Sequence, residues 1–206
     1  MLANRKPGVY LAGNFLSKST GITSVCEELA AQLSANNWRG VLASNQKNRF
    51  IRMVDFIWTA YRYRNDYQLA AVEVYSFLAF CWAELLFKVL RILHKPYLLT
   101  LHGGRLPEFA SKAPKRFRKL INSAEIVTTP SRYLLSNFNH IRRDIIWLPN
   151  AIDFNFYPKN NCSEVKPVLF WMHAFHEDYN PSLAIDVLHM LVEKFPFASL
   201  TMVGPN

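Results

Sequence analysis

Glycine is scarce in this chain, seven residues in 206, and none is arranged as the Gly-x-Gly-x-x-Gly turn of a dinucleotide-binding strand. A nicotinamide or flavin oxidoreductase is therefore disfavoured. Gly13, four residues and then Lys18-Ser19 resemble a phosphate-binding loop until the spacing is checked, since the second glycine that should stand before the lysine is missing. The cysteines, Cys26, Cys81 and Cys162, are odd in number and far apart. That excludes a disulfide framework and any paired-cysteine metal or redox motif, and it fits a reducing, cytoplasmic setting. Long apolar runs are also wanting. The longest, Phe77 to Leu93, is interrupted by Glu84, Lys88 and Arg91. These lie at i, i+4 and i+7, one polar stripe on a helix that otherwise packs on a sheet, so no transmembrane span is expected. The polar start, Met1 to Pro7, does not read as a secretory signal, and neither internal repeats nor low-complexity tracts are visible.

Acidic residues are short only in the first part of the chain. Residues 1–150 hold 21 Lys and Arg against nine Asp and Glu, a net +12, whereas residues 151–206 hold three against six, a net −3. A basic lobe points to an anionic partner, such as lipid headgroups, a phosphorylated acceptor or nucleic acid, with a merely solubilising surface as the alternative. Nucleic acid fits least, because the cations are dispersed and no aromatic reading motif accompanies them.

What the chain has in quantity is alternation. Short β-rich runs at 8–13, 40–44, 68–75, 97–101, 125–129 and 144–148 are separated by helical patterns, the signature of βαβ units and a parallel sheet. The expected helices begin after Ser19 and Thr20 as caps, at Arg49, at Phe77, at Ala113 and at Arg132. Along 49–64, Phe50, Val54, Ile57 and Tyr61 share a face, with Arg49, Arg52, Arg62 and Arg64 around it. After Leu148-Pro149-Asn150-Ala151-Ile152-Asp153, a second pattern opens: a strand from Pro167 to Ala174, a helix from Pro181 to Phe195 and a strand from Ser199 to Val203. The expected organisation is α/β, with a Rossmann-like domain over 1–150, a linker over 151–166 and the first βαβ unit of a second, incomplete Rossmann-like domain over 167–206.

His102 is the strongest single candidate for chemistry. It ends a strand, where open α/β sheets place ligands, and Gly103-Gly104 leaves room for close approach. A neutral imidazole both donates and accepts, which suits a hydroxyl; the competing reading is a histidine bonded to a carbonyl to hold the turn. His173 and His176, followed by Glu177 and Asp178, lack the His-Glu-x-x-His spacing and a third ligand, so metal is not expected. Asn180 and Pro181 read as cap and first turn of a helix, offering amide donors and a positive dipole end. Around Gly21 the strand-to-helix loop is expected to turn amides toward the cleft.

Leu101-His102-Gly103-Gly104, Ala124-Glu125-Ile126-Val127-Thr128-Thr129-Pro130-Ser131, Pro149-Asn150-Ala151-Ile152-Asp153 and Tyr179-Asn180-Pro181, in that order, make the chain resemble glycosyltransferase family 4 over its whole length. These are retaining enzymes of the GT-B fold that take a sugar from a nucleotide-diphosphate donor. The resemblance implies that His102 contacts the donor sugar and acts in catalysis, that Gly13 and Gly21 lie in the N-terminal glycine loop, and that Gly103, Gly104, Asn150, His173, Tyr179 and Asn180 line the donor and acceptor sites. The basic lobe, with its basic, aromatic stretches at 49–64 and 113–121, points to a cytoplasmic enzyme that is peripheral on an anionic membrane surface. The resemblance implies no cofactor and no metal, with a nucleotide sugar as donor and a glycan or lipid-linked acceptor. It also implies a longer enzyme, of which this chain is a fragment. The family has Arg at the place of His173 and Lys at that of Tyr179, cations that stabilise the leaving diphosphate. Their loss leaves a non-catalytic GT-B-like binding or scaffold protein as the alternative.

Overall fold

The computed structural model describes residues 7–21, 23–150 and 166–205. The chain divides into two compact units, Met1–Ile152 and Asp153–Asn206. Cys162 and the linker expected over 151–166, save its last residue, fall outside the described residues, as does most of the Pro149 to Asp153 crossing.

The first unit is a six-stranded parallel sheet in the order β2-β1-β3-β4-β5-β6. Its strands are β1 (Gly8–Ala12), β2 (Arg39–Ala43), β3 (Leu69–Val74), β4 (Tyr97–Leu101), β5 (Ile126–Thr129) and β6 (Ile146–Trp147). The helices are α1 (Ser17–Thr20), α2 (Val25–Ala35), α3 (Arg49–Arg62), α4 (Leu78–Ile92), α5 (Leu106–Lys112), α6 (Pro114–Ser123) and α7 (Arg132–Phe138). β1 is buried along its whole length, as expected for an inner parallel strand covered on both faces. The core runs from the sheet into α4 and α6. Phe109, Phe80, Phe117 and Phe138 follow one another with ring centroids 4.6, 5.9 and 4.6 Å apart. Such tilted and offset pairs add to plain area burial.

Two expectations are corrected by the structure. The helix after β1 is capped by Ser24, not by Ser19 and Thr20, which lie in the separate turn α1. Ser24 and Glu27 form a reciprocal capping box: the Glu27 amide donates to Ser24 Oγ (3.4 Å) and the Ser24 amide to Glu27 Oε2 (2.8 Å). The basic helix expected from Ala113 is α6, and a further helix, α5, precedes it, the two meeting at Ala113. α3 is as expected, with Phe50, Val54 and Tyr61 on one side, and that side faces outward, all three being exposed. The buried side is Phe56, Thr59 and Ala60, held to the sheet by the Tyr10 hydroxyl donating to the Phe56 carbonyl (2.9 Å).

The second unit pairs β7 (Val168–Met172) with β8 (Ser199–Val203) in parallel, joined by a single-turn helix at Glu177–Tyr179 and α8 (Pro181–Val192). None of its described residues is fully buried. Phe170, Met172, Leu183 and Met190 all lie exposed.

Candidate functional site

The strand order reverses between β1 and β3, and in open α/β sheets ligands lie beyond the carboxyl ends of the strands at such a reversal. Gly13 follows β1 there, Glu73 and Tyr75 end β3, and His102 ends the neighbouring β4. Gly13 is fixed by pairing to β2: its amide donates to the Ala43 carbonyl (2.8 Å) and its carbonyl accepts from the Ser44 amide (3.0 Å). A side chain at this position would collide, since a Cβ would come 2.7 Å from Cys26 Sγ and 2.9 Å from Glu73 Oε2. Glycine is needed here so that a carboxylate can lie over the backbone.

Glu73 links the cluster. Its Oε2 accepts from the Tyr75 hydroxyl (3.2 Å) and its Oε1 lies 3.8 Å from His102 Nε2. Tyr75 and His102 stack, with ring centroids 5.2 Å apart and planes inclined by 19°. The His102 side chain is 10% exposed, and its Nε2 is buried with no hydrogen-bond partner among the described residues. The turn is held instead by the His102 backbone, whose amide donates to the Val74 carbonyl (2.8 Å). A buried polar atom left unpaired costs free energy, so this nitrogen is suited to a ligand hydroxyl.

Burial sets the protonation states. It pulls His102 below the usual imidazole range, keeping the ring neutral and able to donate or accept. It pushes the Glu73 carboxyl upward, and hydrogen bonds from Tyr75, Cys26 and the Asn14 backbone offset this only in part. Burial and the nearby Glu73 charge raise the Cys26 thiol to about 11, so it remains protonated and is a packing residue rather than a nucleophile. It donates to the Asn14 carbonyl (3.2 Å), which also accepts from Ser24 Oγ (2.5 Å). The loop after β1 is thus tied to the start of α2.

The other expected positions vary. Gly103 adopts φ 88° and its carbonyl accepts from the Leu106 amide (3.1 Å), while Gly104 faces open space. Gly21, at φ 71°, ends α1, and its amide donates to the Ser17 carbonyl (2.7 Å). That bond consumes the amide expected to point at the cleft. Asn150 is exposed at the end of the first unit. In the second unit the His173 and Tyr179 rings stack, with centroids 3.4 Å apart. Asn180, in the left-handed region, caps α8 by accepting from the Leu183 amide (3.3 Å). No group of three or more His, Cys, Asp or Glu side chains suited to a metal occurs among the described residues. Glu73, Tyr75 and Asn14 were not expected at the site. The signal for Glu73 was present, a lone carboxylate in the apolar strand Leu69-Ala-Ala-Val-Glu-Val74.

No family model matches the sequence, and no curated protein does. Solved structures do match over nearly the whole chain. One, from Listeria monocytogenes, is assigned as a UDP-N-acetylglucosamine 2-epimerase and matches at 11% identity with TM-score 0.55, covering 98% of this chain and 62% of that one. An alpha-glucosyltransferase in complex with UDP and a 13-mer DNA containing an A:G mismatch matches at 10% identity with TM-score 0.58, covering 98% and 56%. An alpha-glucosyltransferase with UDP-glucose and DNA containing an abasic site matches at 12% identity and the same TM-score, covering 98% and 57%. The chain therefore spans about three fifths of the length of these structures. At such low identity the likeness establishes the fold, an α/β chain whose six-stranded parallel sheet is Rossmann-like and of the GT-B kind.

Proposed function

We propose that the protein is a retaining glycosyltransferase of the family 4 kind, moving a sugar from a nucleotide-diphosphate donor to a glycan or lipid-linked acceptor. In this reading residues 1–150 form the acceptor-side domain, and the second unit belongs to the donor-binding domain. The observation that carries the reading is the buried, unpartnered Nε2 of His102 at the end of β4, beside the strand-order reversal. A neutral imidazole there holds a donor-sugar hydroxyl, with Tyr75 stacked behind it and Glu73 within reach. In front-face transfer the departing diphosphate assists deprotonation of the acceptor hydroxyl, so the protein supplies position and electrostatics. The capped start of α8 offers amides to the diphosphate in place of the absent Arg and Lys. We further infer a basic lobe that meets an anionic membrane surface. Among the described residues no helix is long and apolar enough to cross a membrane.

Because His102 is buried against Tyr75, truncation to alanine would open a cavity and confuse packing with function. His102→Phe keeps a stacked ring and removes the nitrogen. In the full gene product this variant is expected to lose about tenfold or more in turnover, as for a lost polar contact at the reacting sugar, with its melting temperature held. Unchanged turnover would remove His102 from the site.

A further inference from the structure

A cavity of about 320 Å³ opens at the strand-order reversal, between α3 and α4. Gly13, Glu73, Phe56, Trp82 and Leu86 are among the residues that line it. Arg52 lies half-buried on its wall, donating from Nη1 to Asn14 Oδ1 (2.7 Å) and from Nε to the Gln46 carbonyl (2.8 Å). Arg49, one turn earlier, lines the same cavity, and neither arginine forms an ion pair among the described residues. Burial and the like charge of Arg49 both disfavour the Arg52 cation. Two arginines facing one cavity without a carboxylate partner are complementary to an anion.

The surroundings are apolar. Phe77 and Leu78, 41% and 59% exposed, stand on the rim. Phe77 adopts φ 59°, a left-handed conformation costly for an aromatic residue and often found at ligand sites. The outward side of α3 continues the patch with Phe50, Ile51, Val54 and Trp58, Phe50 being 78% exposed. Sugar rings stack on single aromatic faces, but the aliphatic Leu78, Ile51 and Val54 exposed beside them suit a molecule with a chain emerging from a membrane.

We propose that this cavity binds a single-chain amphiphile, its phosphate between Arg49 and Arg52 beside Asn14, and its hydrocarbon in the α3–α4 groove between Phe56 and Trp82. Resting on the transferase reading above, the occupant is the acceptor, which makes that acceptor a lipid phosphate rather than a free glycan. The binding itself is testable without sugar transfer. Dodecyl phosphate, titrated below its critical micelle concentration, should bind the chain and change the fluorescence of the cavity tryptophan. Inorganic phosphate and dodecyl maltoside should each bind at least about tenfold more weakly, each lacking one half of the recognition. Arg49→Ala, at an exposed position, should weaken dodecyl phosphate severalfold, and Ala79→Phe, filling the cavity, should abolish binding. Equal binding of dodecyl phosphate and dodecyl maltoside, or indifference of folded variants, would overturn the proposal. Turnover of the full gene product on a soluble glycan, with no dodecyl phosphate binding, overturns the lipid inference and leaves the transferase reading standing. Amphiphile binding without consumption of any nucleotide sugar keeps the binding site and removes its role as acceptor site.

Discussion

Glu73 shows how one residue can tie a strand-order reversal to a site. Its carboxyl lies over Gly13, accepts from Tyr75 and approaches His102, all in a place that disfavours charge. The folded state raises this carboxyl above its ordinary value of 4.5, so folding favours the protonated form. Stability is therefore greatest below the ordinary value and is lost as pH rises through the raised one. Glu73→Gln abolishes that loss. The variant is expected to match wild type in acid and to gain on it as pH rises, by about 2–4 °C in melting temperature for each kcal/mol recovered in a chain of this size. Thermal melts across pH check this, and parallel curves for the two proteins would contradict the raised carboxyl. His102 was legible from its place at a strand end, yet its environment was not. Tyr75 and Glu73 are adjacent to it only through the β3–β4 register, a pairing between residues nearly 30 positions apart.

At the scale of elements, the start of α2 couples helix formation to the site. Ser24 caps the helix and also donates to the Asn14 carbonyl, while the Asn14 side chain accepts from Arg52. Ser24→Ala should cost about 1 kcal/mol through the cap alone, more with the loop bond lost, and differential scanning calorimetry would register it as a melting temperature lower by about 2–4 °C or more. No loss would mean that the box contributes nothing. Ser24-Val25-Cys26-Glu27 carries the capping-box spacing in plain sequence, but Ser19 and Thr20 offered a competing start one turn earlier. Strand positions were read closely because buried parallel strands are continuous apolar runs; β4 and β8 agree end to end with the expected ranges. α5 carries no clear sequence signal because Gly103-Gly104 and Pro107 read as loop. α3 was read as a helix, but periodicity alone does not say whether a shared face looks in or out.

For the molecule as a whole, the +12 of residues 1–150 is partly engaged internally. Arg116 pairs with Glu84, Arg39 with Asp66 (2.9 Å), and Arg142 with Asp144 (2.8 Å) while also donating to the Ile121 and Ala124 carbonyls. Arg116 is one of the four cations of α6, so that helix presents fewer open charges to a membrane than its composition implies. Arg49 and Arg52, beside an exposed apolar patch, are the better placed pair. Sheet order and the meeting of Gly13, Glu73 and His102 are tertiary facts that alternation of elements could not reveal, whereas the α/β class was legible throughout. The second unit leaves Phe170, Met172 and Met190 exposed, and none of its described residues is fully buried. Retaining transfer to a lipid phosphate is tested by incubating the full gene product with a panel of nucleotide sugars and dodecyl phosphate as acceptor and examining the product by proton NMR at the anomeric position. Expected is a glycosyl dodecyl phosphate, the bond from the sugar's anomeric carbon to the donor diphosphate being broken and one to the acceptor's phosphate oxygen formed, with the donor's configuration retained and production sharply reduced in His102→Phe; an inverted product, or no consumption of any donor by the folded full gene product, would overturn retaining transfer.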